Sequence, residues 1–266
     1  MKFTKMHGAG NDYVLLNCME WFPDNVSALA QKVSNRHFGV GSDGLICICP
    51  SESADFRMRM FNADGSEGAM CGNGIRCAAK YVFQKNLTDS KVIFFETLSG
   101  IRRTELKVQD GEITAVSVDM GAVKIGEIID INVKDKNFTG VAVWVGNPHF
   151  VVSVERLNDI DIRSIGRELQ AGDMFPNGVN IELVRVLCRG QIEVRVWERG
   201  SGETMACGTG ACAAAAVMAA MGRTEQCVSV RMPGGILEVT LDKRKRNAHL
   251  QGPAEIVFEG ELTAND

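Results

Sequence analysis

Residues 207–222 of this 266-residue chain read CGTGACAAAAVMAAMG. From Ala211 to Met221 the side chains are small or apolar in every direction, which predicts a helix without a polar face. Such a helix has to be buried all round, and Gly222 is placed to end it. Because small side chains let strands approach the helix axis, we expect a sheet curled around this central helix.

A second stretch has the same organisation. Residues 71–74 read CGNG and precede a predicted helix from Ile75 to Gln84. Cys207 follows Cys71 by 136 positions, and this offset, without a gap, also places Gly10-Asn11 on Gly146-Asn147, Gly44 on Asn180, Asn62 on Glu198 and Ala78-Ala79 on Ala214-Ala215. Twice the offset is close to the chain length, so the sequence predicts two copies of one fold rather than an array of short repeats.

Alternation of apolar and polar residues, typical of half-buried strands, dominates the rest of the chain. It occurs at residues 57–62, 113–120, 140–145, 191–197, 228–232 and 236–241, with helical patterns at 26–36, 75–84, 162–171 and 211–221. We therefore expect an α+β fold of two pseudo-symmetric halves, each a curled, mostly antiparallel sheet around a central α-helix. The predicted halves are residues 1–115 with 253–266, and residues 116–252, with the active site in the cleft between them.

Composition narrows the class of partner. The chain has 29 Lys and Arg against 33 Asp and Glu, a formal net charge of -4, which lacks the basic excess of nucleic-acid-binding proteins. No apolar run approaches the roughly 20 residues of a membrane span, and residues 1–8 contain no signal-peptide core. We expect a cytoplasmic protein that binds a small molecule, with no nucleic-acid or membrane partner.

The nine cysteines include no C-x-x-C pair, which argues against a secreted disulfide framework and a zinc ribbon. Most are expected to fill the core, namely Cys18, Cys47, Cys49, Cys77, Cys188, Cys212 and Cys227. Cys71 and Cys207 differ from these seven, since each lies at the first turn of a predicted helix, where backbone N–H groups stabilise a thiolate. The glycines that follow would let the same N–H groups bind a carboxylate.

Two matched thiols facing each other indicate inversion at one carbon. One thiolate would remove the Cα proton from one face, and the other group, as a thiol, would deliver a proton to the opposite face. This is the chemistry of a two-base racemase or epimerase.

Four motifs carry a resemblance to a known family: MHGAGNDY at 6–13, NADGSEGAMCGNG at 62–74, GNPH at 146–149 and ERGSGETMACGTG at 198–210. Together they resemble the diaminopimelate epimerase family from residue 6 to about residue 233. The resemblance implies an isomerase that interconverts LL- and meso-2,6-diaminopimelate for lysine and peptidoglycan synthesis, without pyridoxal phosphate, metal or other cofactor. It also implies a homodimer.

The resemblance assigns roles to individual residues. Cys71 would be the proton donor and Cys207 the acceptor from LL to meso, and the roles would exchange in reverse. His149 and Glu198 would hold the reacting amino group, while helix-terminal N–H groups stabilise charge on the carboxylate. The substrate contacts would be Asn11, Asn62, Gly72, Asn73, Asn147, Asn180, Glu198, Arg199, Gly208 and Thr209, with Arg199 on the distal carboxylate.

Simpler roles are open for several of these residues. An asparagine in a glycine-rich loop often serves only a turn, and His149 could be a structural histidine. The offset pairs His149 with Tyr13 and Glu198 with Asn62, so the copies differ where a substrate with two distinct ends would require it. Gly44 departs from the family, since many members carry an amide there that touches the substrate.

Three other functions are open at this stage. A racemase of the same superfamily could act on proline or histidine. The contact expected between Arg199 and a distal carboxylate, however, favours a substrate with a second charged end. A cysteine hydrolase with His149 as base would leave the duplicated thiol unexplained. A binding protein on this scaffold would tolerate the loss of either cysteine.

Three further patterns suggest nucleotide or nucleic-acid binding, but their positions in the chain argue against it. Residues 39–44 and 208–213 match dinucleotide fingerprints, but the first precedes a strand and the second lies too far from its preceding strand. The basic run Lys243–Arg246 could suggest nucleic-acid binding, but its position between strand-like segments favours a solvated hairpin tip.

Cys71→Ala and Cys207→Ala are each expected to lower the rate of inversion by more than about 100-fold, because each removes one of two proton carriers. The measurement is turnover of the reduced, folded variants. Near-normal turnover by either variant would contradict the two-thiol hypothesis, and loss in only one would favour a hydrolase.

Overall fold

A computed structural model describes residues 1–133, 136–171, 174–176, 178–242 and 247–263. The chain divides into two compact units: unit 1 comprises Met1–Val118 with Gly252–Asp266, and unit 2 comprises Asp119–Gln251. The predicted hairpin tip at Lys243–Arg246 lies outside the described residues. Among those that are described, no helix is long and apolar enough to cross a membrane.

Strands predominate over helices. The strands are β1 (Lys2–Gly8), β2 (Asn11–Asn17), β3 (Gly44–Cys49), β4 (Phe56–Asn62), β5 (Glu67–Gly68), β6 (Val92–Thr97), β7 (Gly100–Gln109), β8 (Glu112–Ala122), β9 (Lys124–Val133), β10 (Lys136–Trp144), β11 (Pro148–Ser153), β12 (Asn180–Cys188), β13 (Gln191–Glu198), β14 (Gly202–Thr204), β15 (Cys227–Met232), β16 (Gly235–Asp242), β17 (Asn247–Gly252) and β18 (Glu255–Glu261). The helices are α1 (Val26–Ser34), α2 (Gly72–Gln84), α3 (Ile162–Ala171) and α4 (Gly208–Ala220), with a 3₁₀ turn at Leu157–Asp159.

The sheet of unit 1 wraps around α2. Its strands pair in the order β18, β1, β2, β3, β4, β6, β7, β8, antiparallel except for the parallel pairs β2–β3 and β4–β6. Helix α2 contacts β1, β2, β3, β4 and β7, whereas α1 packs with an apolar cluster that includes Val14, Leu45 and Phe61. Every residue of β3 is buried, because helices cover both of its faces.

Unit 2 repeats this arrangement. Strands β10, β11, β12, β13, β15, β16 and β17 pair in that order, with parallel pairs at β11–β12 and β13–β15. Helix α4 contacts β10 to β13, β15 and β16, and α3 packs with the cluster around Phe150, Ile165 and Leu183. The order of parallel and antiparallel pairs matches unit 1, which confirms the predicted α+β fold built from two copies.

Strand register reproduces the offset read from the sequence. In unit 1, Tyr13 pairs with Gly44, which pairs with Asn62. In unit 2, His149 pairs with Asn180, and the pairing of Ile181 with Trp197 brings Asn180 level with Glu198. In each unit, three neighbouring strands thus place one residue each at the same level of the sheet, which we call a strand row. The residues of the two strand rows are 136 positions apart in the sequence.

Two of the seven cysteines predicted to fill the core do not. Cys188 and Cys227 are exposed, whereas Cys18, Cys47, Cys49, Cys77 and Cys212 are buried. Cys188 is the last residue of β12 and Cys227 the first of β15, where each strand extends past the buried part of the sheet. The prediction was wrong for these two because residue type says nothing about where a strand leaves the core.

The buried helix α4 offers a test of packing. Ala214 is fully buried, and Ala220 on the same helix is exposed. Ala214→Leu is expected to lower the free energy of unfolding by about 2 kcal/mol, because added methylenes force the surrounding strands apart. Ala220→Leu, the matched control, should change it by less than about 0.5 kcal/mol in urea titrations. Equal values for the two variants would contradict a helix enclosed by the sheet.

Candidate active site

Both predicted cysteines cap their helices in the same way. Cys71 has φ -130° and ψ 125°, and Cys207 has φ -128° and ψ 118°. The Gly74 N–H group donates to Cys71 Sγ, and the Gly210 N–H group donates to Cys207 Sγ, each over 3.4 Å. Each sulfur therefore lies at the positive end of a helix dipole, as predicted.

The glycines in these first turns allow close packing against the sheet. A Cβ at Gly74 would lie 2.9 Å from Ile46 Cδ1, and a Cβ at Gly210 would lie 2.6 Å from Glu182 Oε1. Ile46 and Glu182 are again 136 residues apart. A larger residue would lift each helix, and its thiol, away from the central strand.

In unit 1 two side chains contact the thiol, and a third bonds to one of them. Tyr13 Oη lies 3.1 Å from Cys71 Sγ and 2.9 Å from Asn11 Oδ1. Asn11 Oδ1 lies 3.4 Å from the sulfur and accepts from Asn73 Nδ2 over 3.3 Å. The predicted residues Asn11, Cys71 and Asn73 are thus brought together, and Tyr13 joins them.

Charged residues hold Asn11 in place. Its Nδ2 donates to Asp43 Oδ2 over 2.6 Å, which directs Oδ1 towards the thiol. Arg36 bonds to both Asp43 and Asp12, and Lys5 bonds to Asp12. Partial burial acts to raise the pKa of Asp12, but the hydrogen bonds from Arg36 and Lys5 outweigh it and lower the pKa to about 2. The Asp12 carboxylate therefore stays ionised at neutral pH.

Buried cations stabilise the first turn of α2. Arg76 is fully buried and donates to the Gly72 carbonyl, Asn73 Oδ1 and the Pro253 carbonyl over 2.9–3.2 Å. Further along the helix, Lys80 pairs with Glu255. The positive charges on α2 are thus matched by acceptors within unit 1.

Unit 2 places an imidazole and a carboxyl group where unit 1 has a phenol and an isoleucine. His149 Nδ1 lies 2.7 Å from Glu182 Oε1, and both side chains are fully buried. His149 Nε2 lies 2.9 Å from Asn147 Oδ1. Contacts at both ring nitrogens therefore fix the position of the imidazole.

Glu198 lies beside the second thiol. Thr204 Oγ1 donates to Glu198 Oε1 over 2.5 Å. Burial of the Glu198 carboxyl group raises its pKa, against hydrogen bonds from Thr204 and Cys207 that act to lower it. Burial also raises the pKa of the Cys207 thiol well above its ordinary value, and the negative charges of Glu198 and Glu182 add to this effect. Unit 2 by itself therefore favours the neutral thiol.

Of the other predicted contact residues, Asn180 and Thr209 lie near Cys207, whereas Asn62 belongs to a turn. Asn180 Oδ1 accepts from the Arg199 backbone N–H group over 2.9 Å, its Nδ2 lies 4.0 Å from Cys207 Sγ, and the hydroxyl group of Thr209 lies 3.4 Å from that sulfur. Asn62 is exposed and donates to Ser66 Oγ, so it serves the turn after β4 in this structure. Within the described ranges, no three His, Cys, Asp or Glu side chains could together hold a metal ion.

Sequence reasoning missed several residues of the site. Glu182, Thr204 and Asp43 were not predicted, and Tyr13 appeared only as the partner of His149 in the repeat. Glu182 had a signal, since it is the one charged residue in the apolar run of residues 181–184. Thr204 and Asp43 act through contacts with residues on other strands or loops, which no local pattern predicts.

Comparisons with known proteins agree with this description. The model of the diaminopimelate epimerase family matches residues 3–126 and 141–257. A diaminopimelate epimerase from Acetivibrio thermocellus is 46% identical, with 100% of both chains covered. One from Parabacteroides distasonis is 44% identical over 98% of this chain and 97% of its own, and one from Methanococcus maripaludis is 42% identical over 98% and 99%.

Solved structures of lower identity share the fold. A phenazine biosynthesis protein from Bacillus anthracis superposes with a TM-score of 0.78 at 17% identity, covering 99% of both chains. A probable proline racemase from Agrobacterium radiobacter has a TM-score of 0.74 at 16% identity, covering 99% of this chain and 93% of its own. The family model and the curated relatives together define an enzyme of the epimerase class. The chain belongs to the diaminopimelate epimerase family.

The His149–Glu182 pair can be tested by stability. Glu182→Ala is expected to lower the free energy of unfolding by about 3 kcal/mol, because it leaves the buried imidazole without its partner. Glu193→Ala, which removes a more exposed carboxylate from the neighbouring strand, should cost less than about 1 kcal/mol. Urea titration of both variants provides the comparison, and a loss below about 1 kcal/mol for Glu182→Ala would refute the pairing.

Proposed function

We propose that this chain interconverts LL- and meso-2,6-diaminopimelate by proton transfer at Cα between two thiols, Cys71 and Cys207. Family membership supports the substrate and a place on the route to lysine. The observation that carries the mechanism is the duplicated cap: in each unit a cysteine sulfur accepts the N–H group of a glycine at the start of a buried helix. No single-thiol chemistry explains why both copies keep this arrangement.

From LL to meso, Cys207 takes the Cα proton as a thiolate, and Cys71 delivers a proton to the opposite face as a thiol. In the reverse direction the two groups exchange roles. The N–H groups of Gly72, Asn73, Gly208 and Thr209 lie at helix N-termini, where a carboxylate is stabilised. Charge that moves onto the substrate carboxylate as the proton leaves is stabilised in the same way.

His149 and Glu198 receive the reacting amino group. The buried His149–Glu182 pair fixes the imidazole, and the Glu198 carboxyl group lies next to Cys207. The raised pKa of Cys207 means that the thiolate needs a nearby positive charge, which the substrate ammonium group supplies on binding. Substrate binding therefore activates the thiol that has to act as the base.

Arg199, Asn11, Asn62, Asn147 and Asn180 are proposed as substrate contacts, with the Arg199 guanidinium group on the distal carboxylate. A cytoplasmic location and a homodimer are part of the same proposal, and light scattering during gel filtration measures the latter.

The experiment is incubation of the reduced protein with LL-diaminopimelate in D2O. We expect meso product that carries one deuterium at Cα, because the proton delivered comes from a thiol that exchanges with solvent. Chiral chromatography and mass spectrometry measure the product and its label. Folded, reduced protein that gives neither product nor label would refute the diaminopimelate assignment, and the same assay with proline tests a racemase of that substrate.

A further inference from the structure

The two units differ in the strand residues that lie beside each thiol. Unit 1 has Tyr13 where unit 2 has His149, and Ile46 where unit 2 has Glu182. Tyr13 is buried, with 5% of its surface exposed. A Cβ at Gly44 would lie 3.4 Å from the Tyr13 ring and 2.3 Å from the Phe61 carbonyl oxygen. The absence of a side chain at Gly44 leaves room for the phenol beside Cys71.

Hydrogen-bond chemistry limits what the Tyr13 hydroxyl group can do. Asp43 accepts from Asn11 Nδ2, so Asn11 presents its oxygen, which can only accept. The single hydroxyl hydrogen of Tyr13 can point to Asn11 Oδ1, at 2.9 Å, or to Cys71 Sγ, at 3.1 Å. A protonated Cys71 can itself donate to Asn11 Oδ1 over 3.4 Å.

We propose that Tyr13 is a further catalytic residue, whose O–H group donates to the Cys71 thiolate and turns to Asn11 when the sulfur gains a proton. The proposal deepens the function proposed above and rests on it, since it concerns the proton carrier of unit 1. The phenol keeps its own proton throughout, so one proton arrives at Sγ and only the direction of the Tyr13 O–H bond changes. In unit 2 the position equivalent to Tyr13 holds the imidazole of His149 instead of a phenol.

The two charged residues of helix α2 have partners of their own. Helix α2 carries Arg76 and Lys80, of which Arg76 bonds to backbone carbonyls and Asn73, and Lys80 pairs with Glu255 of β18. Cys77 on the same helix is fully buried.

Two strands of unit 1 pack against the start of α2. Strand β1 presents Gly8 to the helix start and β3 presents Ile46. The carboxylates of Asp12 and Asp43 belong to the cluster that holds Asn11. Two neutral donors, the Tyr13 O–H and Gly74 N–H groups, lie within hydrogen-bond distance of Sγ.

The chain offers a matched pair of variants, because it has two tyrosines. Tyr13→Phe removes only the hydroxyl group beside Cys71. Tyr81→Phe removes the hydroxyl group of the other buried tyrosine, on α2 of the same unit. Iodoacetamide alkylation of the reduced protein is followed from pH 6 to 10 by mass spectrometry of each cysteine peptide, with exposed Cys188 as the internal reference. In this reaction a thiolate forms a sulfur–carbon bond and displaces iodide.

We expect Tyr13→Phe to move the midpoint of the Cys71 alkylation profile up by about one pH unit, the effect of losing one hydrogen bond to a charged group. The midpoint of Cys188 should stay in place in every protein, and that of Cys71 should stay in place in Tyr81→Phe. A Cys71 midpoint that does not move in Tyr13→Phe, or that moves equally in both variants, overturns the proposal.

A second measurement uses the unmutated chain. With ¹³C in the tyrosine ring, the two Cζ resonances are followed as Cys71 ionises. The Tyr13 resonance should shift as Cys71 ionises, with the same midpoint pH as the alkylation profile, while the Tyr81 resonance stays in place. A Tyr13 resonance that does not shift as Cys71 ionises overturns the proposal. Neither measurement needs a substrate, so a failure to turn over diaminopimelate would count against the proposed function alone.

Discussion

The unpaired N–H groups at the start of a buried helix are the constraint on which the rest of this structure depends. Four such groups need acceptors in any α-helix, and here a cysteine sulfur takes one of them at the start of α2 and of α4. Glycines in the same turns bring each helix end against the central strand of its sheet. The requirement for an acceptor at the helix end and the requirement for a stabilised thiolate are therefore met by the same atom.

The two units have the same backbone arrangement, but different side chains surround the cysteine sulfur in each. Cys71 has a phenol and an amide held by the Asp43–Arg36–Asp12 cluster, and these groups are neutral where they touch it. Cys207 has two carboxyl groups and an imidazole, and burial together with Glu198 and Glu182 raises its pKa. Duplication thus gives two similar thiol sites, and side-chain differences make their surroundings unequal.

The sequence was sufficient for the fold class, the repeat and the position of both cysteines at the start of a helix, because these depend on local pattern and on a constant offset. Helix α4 has no polar face, and the alternation of β13 and β15 was evident in single segments. The partners of each thiol were harder to predict. Glu182 lies beside His149 only because β11 and β12 pair in parallel, and the orientation of Asn11 depends on Asp43, 32 residues away. Contacts of this kind follow from strand register, which residue spacing does not specify.

The most direct test of two unequal carriers is the position of the label early in the reaction. At low conversion in D2O, started separately from LL- and from meso-diaminopimelate, product and recovered substrate are separated and their Cα deuterium is measured. Two thiols, each serving one face, predict deuterium in the product and almost none in the recovered substrate, in both directions. Equal labelling of product and recovered substrate would mean that one group serves both faces, and it would contradict the account.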